Sequence, residues 1–243
     1  DYCLNYFSIT AKTLDRKTLL ELNKSHKKWS INQFINSRRF PLSSKYLEPH
    51  FHFDKEFFNI KDSTDIEGYF QSEKYFFHCS DKIRKEFTIK KKYQKEARKK
   101  LSKYRQNSEK LISAHIRRLG HEKPEYQKVH KYPTPEYYKR ALDYFKNLYV
   151  NPKVIVFSDD LDWCRKNIVG NEIYYSEGNS SIIDFAMMSL CDHNIITPSS
   201  FSWWASWLNN NPEKIVVAPA GELFGPEGPQ IISDFLPKNI IRV

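Results

Sequence analysis

The sequence predicts an α/β protein whose second half is a parallel sheet with helices on both sides. Three observations predict it. From residue 110 onward, short apolar runs alternate with amphipathic stretches, the order that strands and crossover helices produce. The runs are apolar at consecutive positions rather than at every second one, as strands buried on both faces require. Texture also changes near residue 106, from irregular, aromatic and Lys-rich to regular, which divides the chain into 1–106 and 107–243.

Within the regular part, Leu111–Ile116 reads as the first strand. Thr134-Pro135-Glu136 then supplies an N-cap, a proline at the first helical position and an early acid. Tyr138, Ala141, Leu142, Phe145 and Leu148 follow at helical spacing. A second strand is expected over 153–157, a short helix over 161–168 and a third strand over 172–175. A helix over 180–191, a strand over 194–197, a short helix over 201–208 and a strand over 214–218 complete the alternation. In the first part, 84–105 is a helical candidate, with Phe87, Tyr93, Ala97, Leu101 and Tyr104 spaced three to six apart. This part reads as a less regular α/β unit. It begins without a glycine-bearing first strand and turn, so it is expected to be incomplete at its N-terminus.

Composition narrows the class. The chain has 243 residues, 40% of them hydrophobic, and only 7 glycines, which disfavours low-complexity and disordered readings. Its longest apolar stretches, 182–191 and 215–220, fall short of the roughly 20 residues needed to span a bilayer. Nothing near Asp1 resembles a signal peptide, and an upstream anchor stays open, as does localisation: cytoplasmic, membrane-peripheral or Golgi-luminal. Net charge is +10, which favours polyanions, acidic membrane surfaces or phosphorylated ligands. Eleven basic residues between Lys82 and Lys103 against Glu86 and Glu96 offer a peripheral membrane contact or simply a solvated amphipathic helix; the segment carries no specific nucleic-acid motif. Cys3, Cys79, Cys164 and Cys191 lie far apart without a C-x-x-C pair, against zinc and disulfide frameworks. The sequons at Asn23 and Asn179 are short enough to arise by chance.

Ligands of open parallel sheets bind beyond the carboxyl ends of the strands, and three polar clusters fall there. Alternation in His115-Ile116-Arg117-Arg118 puts His115 and Arg117 on one face and Arg118 on the other. An Arg leaving a buried strand suits bidentate capture of a phosphate, or is a plain surface Arg. Ser199 or Ser200 caps the helix that follows Thr197-Pro198, whose amides and dipole favour an anion. Ser158-Asp159-Asp160 holds a metal or caps the next helix, and Ser-Asp-Asp is good capping chemistry. Trp204 and Trp207 stack on a sugar or pack into the core, with the core favoured by their spacing. Glycine-rich dinucleotide and Walker fingerprints are missing from the sequence.

The run from Asp184 to Asn209, with Ser200-Phe201-Ser202-Trp203-Trp204 at its centre, and the segment from Pro212 to Pro219 closely resemble glycosyltransferase family 11, the α-1,2-fucosyltransferases. Gly68 to Phe76, His115 to Arg118 and Phe157 to Asp160 match further family blocks in the family's order. The resemblance implies two Rossmann-like halves facing a cleft (a GT-B arrangement), an acceptor-side half in 1–106 and a GDP-fucose-binding half in 107–243. It implies that Arg117 meets the β-phosphate, that His115 lies near the nucleotide, that Asp184 contacts guanine and that Ser199, Ser200 and Phe201 surround the diphosphate and base. The reaction implied is metal-free, inverting transfer of fucose to the 2-hydroxyl of a galactose-ended glycan, without a cofactor. Another nucleotide sugar, or glycan or polyanion binding without catalysis, are the rival readings. Here the family's His-x-Arg-Arg-Gly-Asp reads His115-Ile-Arg-Arg-Leu-Gly120, Pro198-Ser199-Ser200 replaces Asn-Ser/Thr, and the family's N-terminal glycine-rich block is not in the sequence. With the motif Asp missing, His121, Glu122 and Glu125 are the nearest candidates for the general base.

Overall fold

The computed structural model describes residues 3–12, 17, 20 and 45–243, apart from 63, 107, 109, 222, 230, 232, 233 and 238. The Asn23 sequon and the chain's first two residues lie outside the described set. Strands β1 (Lys45–Leu47) and β2 (Asp65–Glu67) pair in parallel as a two-stranded ribbon. Helices α1 (Ser80–Glu86) and α2 (Lys91–Arg105) follow. Next come β3 (Leu111–Ile116), α3 (Pro124–Val129), α4 (Pro135–Leu148), β4 (Lys153–Ser158), α5 (Leu161–Asn167) and β5 (Ile173–Tyr175). The chain ends with α6 (Ser181–Leu190), β6 (His193–Ile195), α7 (Ser200–Leu208), β7 (Val216–Ala218) and β8 (Ile241–Arg242).

Six of these strands form one parallel sheet in the order β5-β4-β3-β6-β7-β8. That is the doubly wound Rossmann order, in which the chain starts mid-sheet and builds outward in both directions. Every residue of β3 is buried. Leu111, with Ile155 and Phe157 of β4, packs under α2 and α6, while Ile112, Ala114 and Ile116 meet α4 and α5 on the other face. Period-two alternation between two covered faces is the physical reason the strand is apolar throughout. Phe145 of α4 is 0% exposed, and burying a ring of that size contributes roughly 2–3 kcal/mol. Buried Asn194 is paired: it donates to Ser113 Oγ (2.7 Å) and the Met188 carbonyl (2.9 Å), and accepts from Asn209 (3.0 Å).

The structure departs from the sequence expectations, or adds to them, at several places. The candidate helix over 84–105 is two helices, because Ile89 leaves the helical path to bridge Phe7 in antiparallel fashion and is buried. The boundary near 106 does not separate the packing: Ala97, Leu101 and Tyr104 of α2 share a core with Leu111, Ile155 and Ile183. Arg105 pairs with Asp192 (3.0 Å), whose carboxylate also accepts the Leu111 amide (2.7 Å), so the end of α2 is tied to the start of β3. An amphipathic helix must cover its apolar stripe, and here α6, with the strand residues beneath it, covers it. The apolar face that a membrane contact through 82–105 would use is therefore spent on the core. A second Rossmann-like sheet is not found among the described residues before α2; β1, β2, α1 and short 3₁₀ segments stand there instead. Finally, α3 and β8 were not expected, although Pro124 followed by Glu125 is the same start signal as Pro135-Glu136. Among the described residues no helix is long and apolar enough to cross a membrane.

Candidate functional site

The sheet order reverses between β3 and β6, so the loops leaving their carboxyl ends diverge and open a crevice, where open α/β sheets bind ligands. His115, the penultimate residue of β3, is 6% exposed and reaches across the switch point to Thr197, Nδ1 to Oγ1 3.2 Å. Its ring also lies 5.5 Å from that of Phe201 in α7. Burial pushes the imidazole down to about 4, and the nearby Arg117 charge adds to this against Asp159. His115 is thus a neutral hydrogen-bonding wall at neutral pH rather than a cation.

One residue on, the two arginines separate as alternation requires. Arg117 lines the cleft, its side chain 46% exposed, with Nη1 3.0 Å from Asp159. Arg118 turns to the other face, 12% exposed, its guanidinium 4.0 Å above the Trp163 ring and 3.4 Å from Asp160. The acidic pair divides in the same way. Asp159 also accepts the amides of Arg118 (2.8 Å) and Leu119 (3.0 Å), fixing the loop that carries Arg117. Asp160 accepts the Trp163 amide (3.0 Å) as the N-cap of α5. Both carboxylates are committed to protein donors.

Beyond β6, Ser199 occupies the N-cap position of α7 in extended conformation, and no side chain closes the helix start. Buried Ser202 turns inward instead, donating to the Thr197 and Ser199 carbonyls (3.4 and 3.3 Å). The amides and positive dipole end of α7 are left facing the cleft that Ser199 and Ser200 line. The opposite end is neutralised: Lys214 Nζ donates to the carbonyls of Ser206 (2.6 Å) and Asn209 (2.8 Å), and burial draws its ammonium down to about 8.

The cleft encloses about 850 Å³. Arg117 and the α7 start form one wall, Tyr69, Phe70 and Gln71 a second, and Tyr126, His130 and Tyr132 a third. Trp203 and Trp204 line its floor. Trp204 is sandwiched between Phe76 (5.4 Å, 16°) and Phe87 (5.2 Å, 12°), and Trp207 is buried under Arg84. These rings are core, not free sugar platforms. Asp184 sits apart from the cleft lining, beside the β5–α6 loop; it accepts from Ser176 Oγ (2.7 Å) and Asn179 Nδ2 (3.0 Å), and burial raises its carboxyl.

The candidates for the general base do not line this cleft. His121 is held by the Arg118 carbonyl (2.8 Å) and Glu122 (3.1 Å), and neither Glu122 nor Glu125 is among the lining residues. Gly120, at φ 84°, turns the chain after Arg118, and it is Tyr126 of α3 and His130 just beyond it that line the cleft. The overlooked start signal at Pro124-Glu125 was the available clue.

A family profile described as Glycosyl transferase family 11 matches residues 2–222. This chain belongs to that family. The Escherichia coli alpha-1,2-colitosyltransferase is 33% identical to this family 11 chain over 198 residues, 78% of the chain and 66% of the relative. The galactoside alpha-(1,2)-fucosyltransferase 1 of Sus scrofa is 30% identical over 175 residues, 67% of the chain and 48% of the relative. The chain thus spans about half to two thirds of the length of these curated relatives. Among solved structures, fucosyltransferase NodZ from Bradyrhizobium aligns with TM-score 0.41 at 15% identity, covering 60% of this chain and 52% of the other.

Proposed function

We propose that the chain transfers fucose from GDP-fucose, with inversion, to the 2-hydroxyl of a galactoside-like acceptor. The observation that carries this is the convergence of Arg117 and the uncapped start of α7 on one crevice at the switch point. As the acceptor oxygen bonds to the sugar's anomeric carbon and the bond to GDP breaks, negative charge develops on the departing diphosphate. The guanidinium and helix amides stabilise that charge, a role a divalent metal fills elsewhere. Asp159 is a positioning residue that holds Arg117 ready, and with both acids of 159–160 committed to donors, we propose a metal-free reaction. His115, Ser199, Ser200 and Phe201 would shape the nucleotide pocket, and Asp184 would read the base.

The hydroxyl proton needs an acceptor within hydrogen-bond reach. His130 is the one imidazole among the described residues lining the cleft, no Asp or Glu lines it there, and its exposure lets it return the proton to solvent. It replaces His121, Glu122 and Glu125 as the proposed base. A second reading, transfer of colitose, is favoured by the 33% identical colitosyltransferase. Calorimetry with GDP, UDP and ADP tests the nucleotide, and transfer from GDP-fucose and GDP-colitose, with and without EDTA, tests the sugar and the metal. Preference for UDP or ADP refutes the donor, and loss on chelation restored by Mn²⁺ refutes the metal-free reaction.

A further inference from the structure

The second cleft wall, Tyr69-Phe70-Gln71, is built at a visible cost. Phe70 holds φ 47°, a left-handed conformation that a bulky residue avoids. Two features keep it there. The Glu48 carboxylate accepts the amides of both Tyr69 (2.6 Å) and Phe70 (3.0 Å), and a Cβ at Gly68 would come within 2.4 Å of the Glu48 side chain, so only glycine fits beside it. The Phe70 ring anchors the corner inward, against Tyr46, Phe57 and Tyr75.

Tyr69 and Gln71 line the cleft on either side of Phe70, which lines it too. Tyr69 is 71% exposed, its ring 5.1 Å from that of Phe51, which is also exposed. Gln71 places a buried side-chain oxygen, Oε1, with no hydrogen-bond partner among the described residues. A single exposed aromatic needs no explanation. A strained corner, an exposed ring and an orphaned buried acceptor, all in the lining of the cleft that Arg117 also lines, do need one.

We propose that Tyr69 and Gln71 form the acceptor subsite and that its occupant is a neutral pyranose. A pyranose presents a flat C–H face that packs on an aromatic ring, and hydroxyls at its edge that donate to a lone carbonyl oxygen. Those are the two groups this wall offers. The wall belongs to the same cleft as Arg117 and the α7 start, so a sugar held there shares the crevice with the donor. A site built to receive a hydroxyl discriminates sharply against an analogue lacking it, because the buried acceptor is then left unpaired. Gln71 is therefore a specificity-determining residue and Tyr69 a stacking one. The assignment rests on the transferase reading above.

The test is binding of the 243-residue chain, in the presence of GDP, to an array of neutral and sialylated glycans. Tyr69→Ala, Tyr69→Phe and Gln71→Leu are measured alongside, with GDP affinity followed separately by calorimetry. The wild-type chain is expected to capture neutral glycans. Tyr69→Ala should weaken capture about tenfold, Tyr69→Phe should retain it, and Gln71→Leu should flatten discrimination between a captured glycan and its single-deoxy analogues. GDP affinity should not change in any variant, since none of the three touches the Arg117 wall. No glycan capture by the wild type, or capture indifferent to Tyr69→Ala and Gln71→Leu, overturns the subsite. Capture of sialylated glycans alone overturns its neutral class. Failure of GDP to bind the wild type falls instead on the donor reading.

Discussion

The six-stranded sheet and the segment from Lys45 to Phe76 hold together in different ways. In the central strands β3, β6 and β7 every position is buried, and Ile155 of β4, Ile195 of β6 and Phe145 of the covering helix α4 reach 0% exposure. In the 45–76 segment, by contrast, Tyr75 is the buried apolar residue among those described, and rings of Tyr46, Phe53, Phe57 and Phe70 meet edge-on or tilted around it. Dense two-sided packing gives the donor wall a rigid base. A thin aromatic layer gives the opposite wall just enough order to present Tyr69 and Gln71. The difference teaches that one cleft is shared by a region stabilised by volume filled and a region stabilised by a few oriented contacts.

The strongest challenge to that contrast is a pair of truncations. Phe145→Ala removes a fully buried ring and should cost about 3–5 kcal/mol in urea unfolding, whereas half-buried Phe57→Ala should cost less than about 2 kcal/mol. Equal losses would mean the aromatic layer is packed as tightly as the sheet. Within the donor wall, Arg117→Ala should lower kcat/KM by about a hundredfold or more, on the order of 3 kcal/mol, with stability unchanged. Arg118→Ala should do the reverse, costing about 1–2 kcal/mol of stability through its lost stack on Trp163. Mild and equal effects of both would undo the assignment of the two arginines to different faces.

His115 sharpens the comparison through pH. Its folded value is depressed from 6.5 to about 4, so the unfolded chain binds the extra proton and stability falls as pH drops from 6.5 toward 4. The loss should total roughly 3 kcal/mol, at most about 1.4 kcal/mol per pH unit. Asp184, raised by burial, acts with the opposite sign because acidification relieves its buried charge. The difference between wild type and His115→Gln across this range isolates the histidine, and parallel curves would refute its buried neutral state. On the third wall, His130→Gln should lower kcat by about a hundredfold. GDP affinity should hold, and an unaltered kcat would return the search for the base to other residues.

Several features were legible in the amino-acid order because short-range rules fix them. The β3 and β4 strands and the α4, α6 and α7 helices follow from apolar periodicity, helped in α4 by the proline of its first turn, and period-two alternation at 115–118 was enough to send Arg117 and Arg118 to opposite faces. The family blocks lie in the same segments. Tertiary structure decided the rest, since side chains from distant segments had to compete for the same partners. Asp159 and Asp160 read as one capping pair until Arg117 and Arg118 arrived from β3 and divided them. Trp204 could have met a sugar until Phe76 and Phe87 closed over it. Helix α2 carries a basic surface that sequence reads as a binding face, yet its apolar stripe was claimed by α6 and the core beneath it. The base near the cleft depended on how Gly120 redirects the chain, and the Phe70 corner depended on Glu48, some twenty residues earlier. No local pattern encodes either, because a left-handed turn and an unpaired amide oxygen acquire meaning only when a wall forms opposite them.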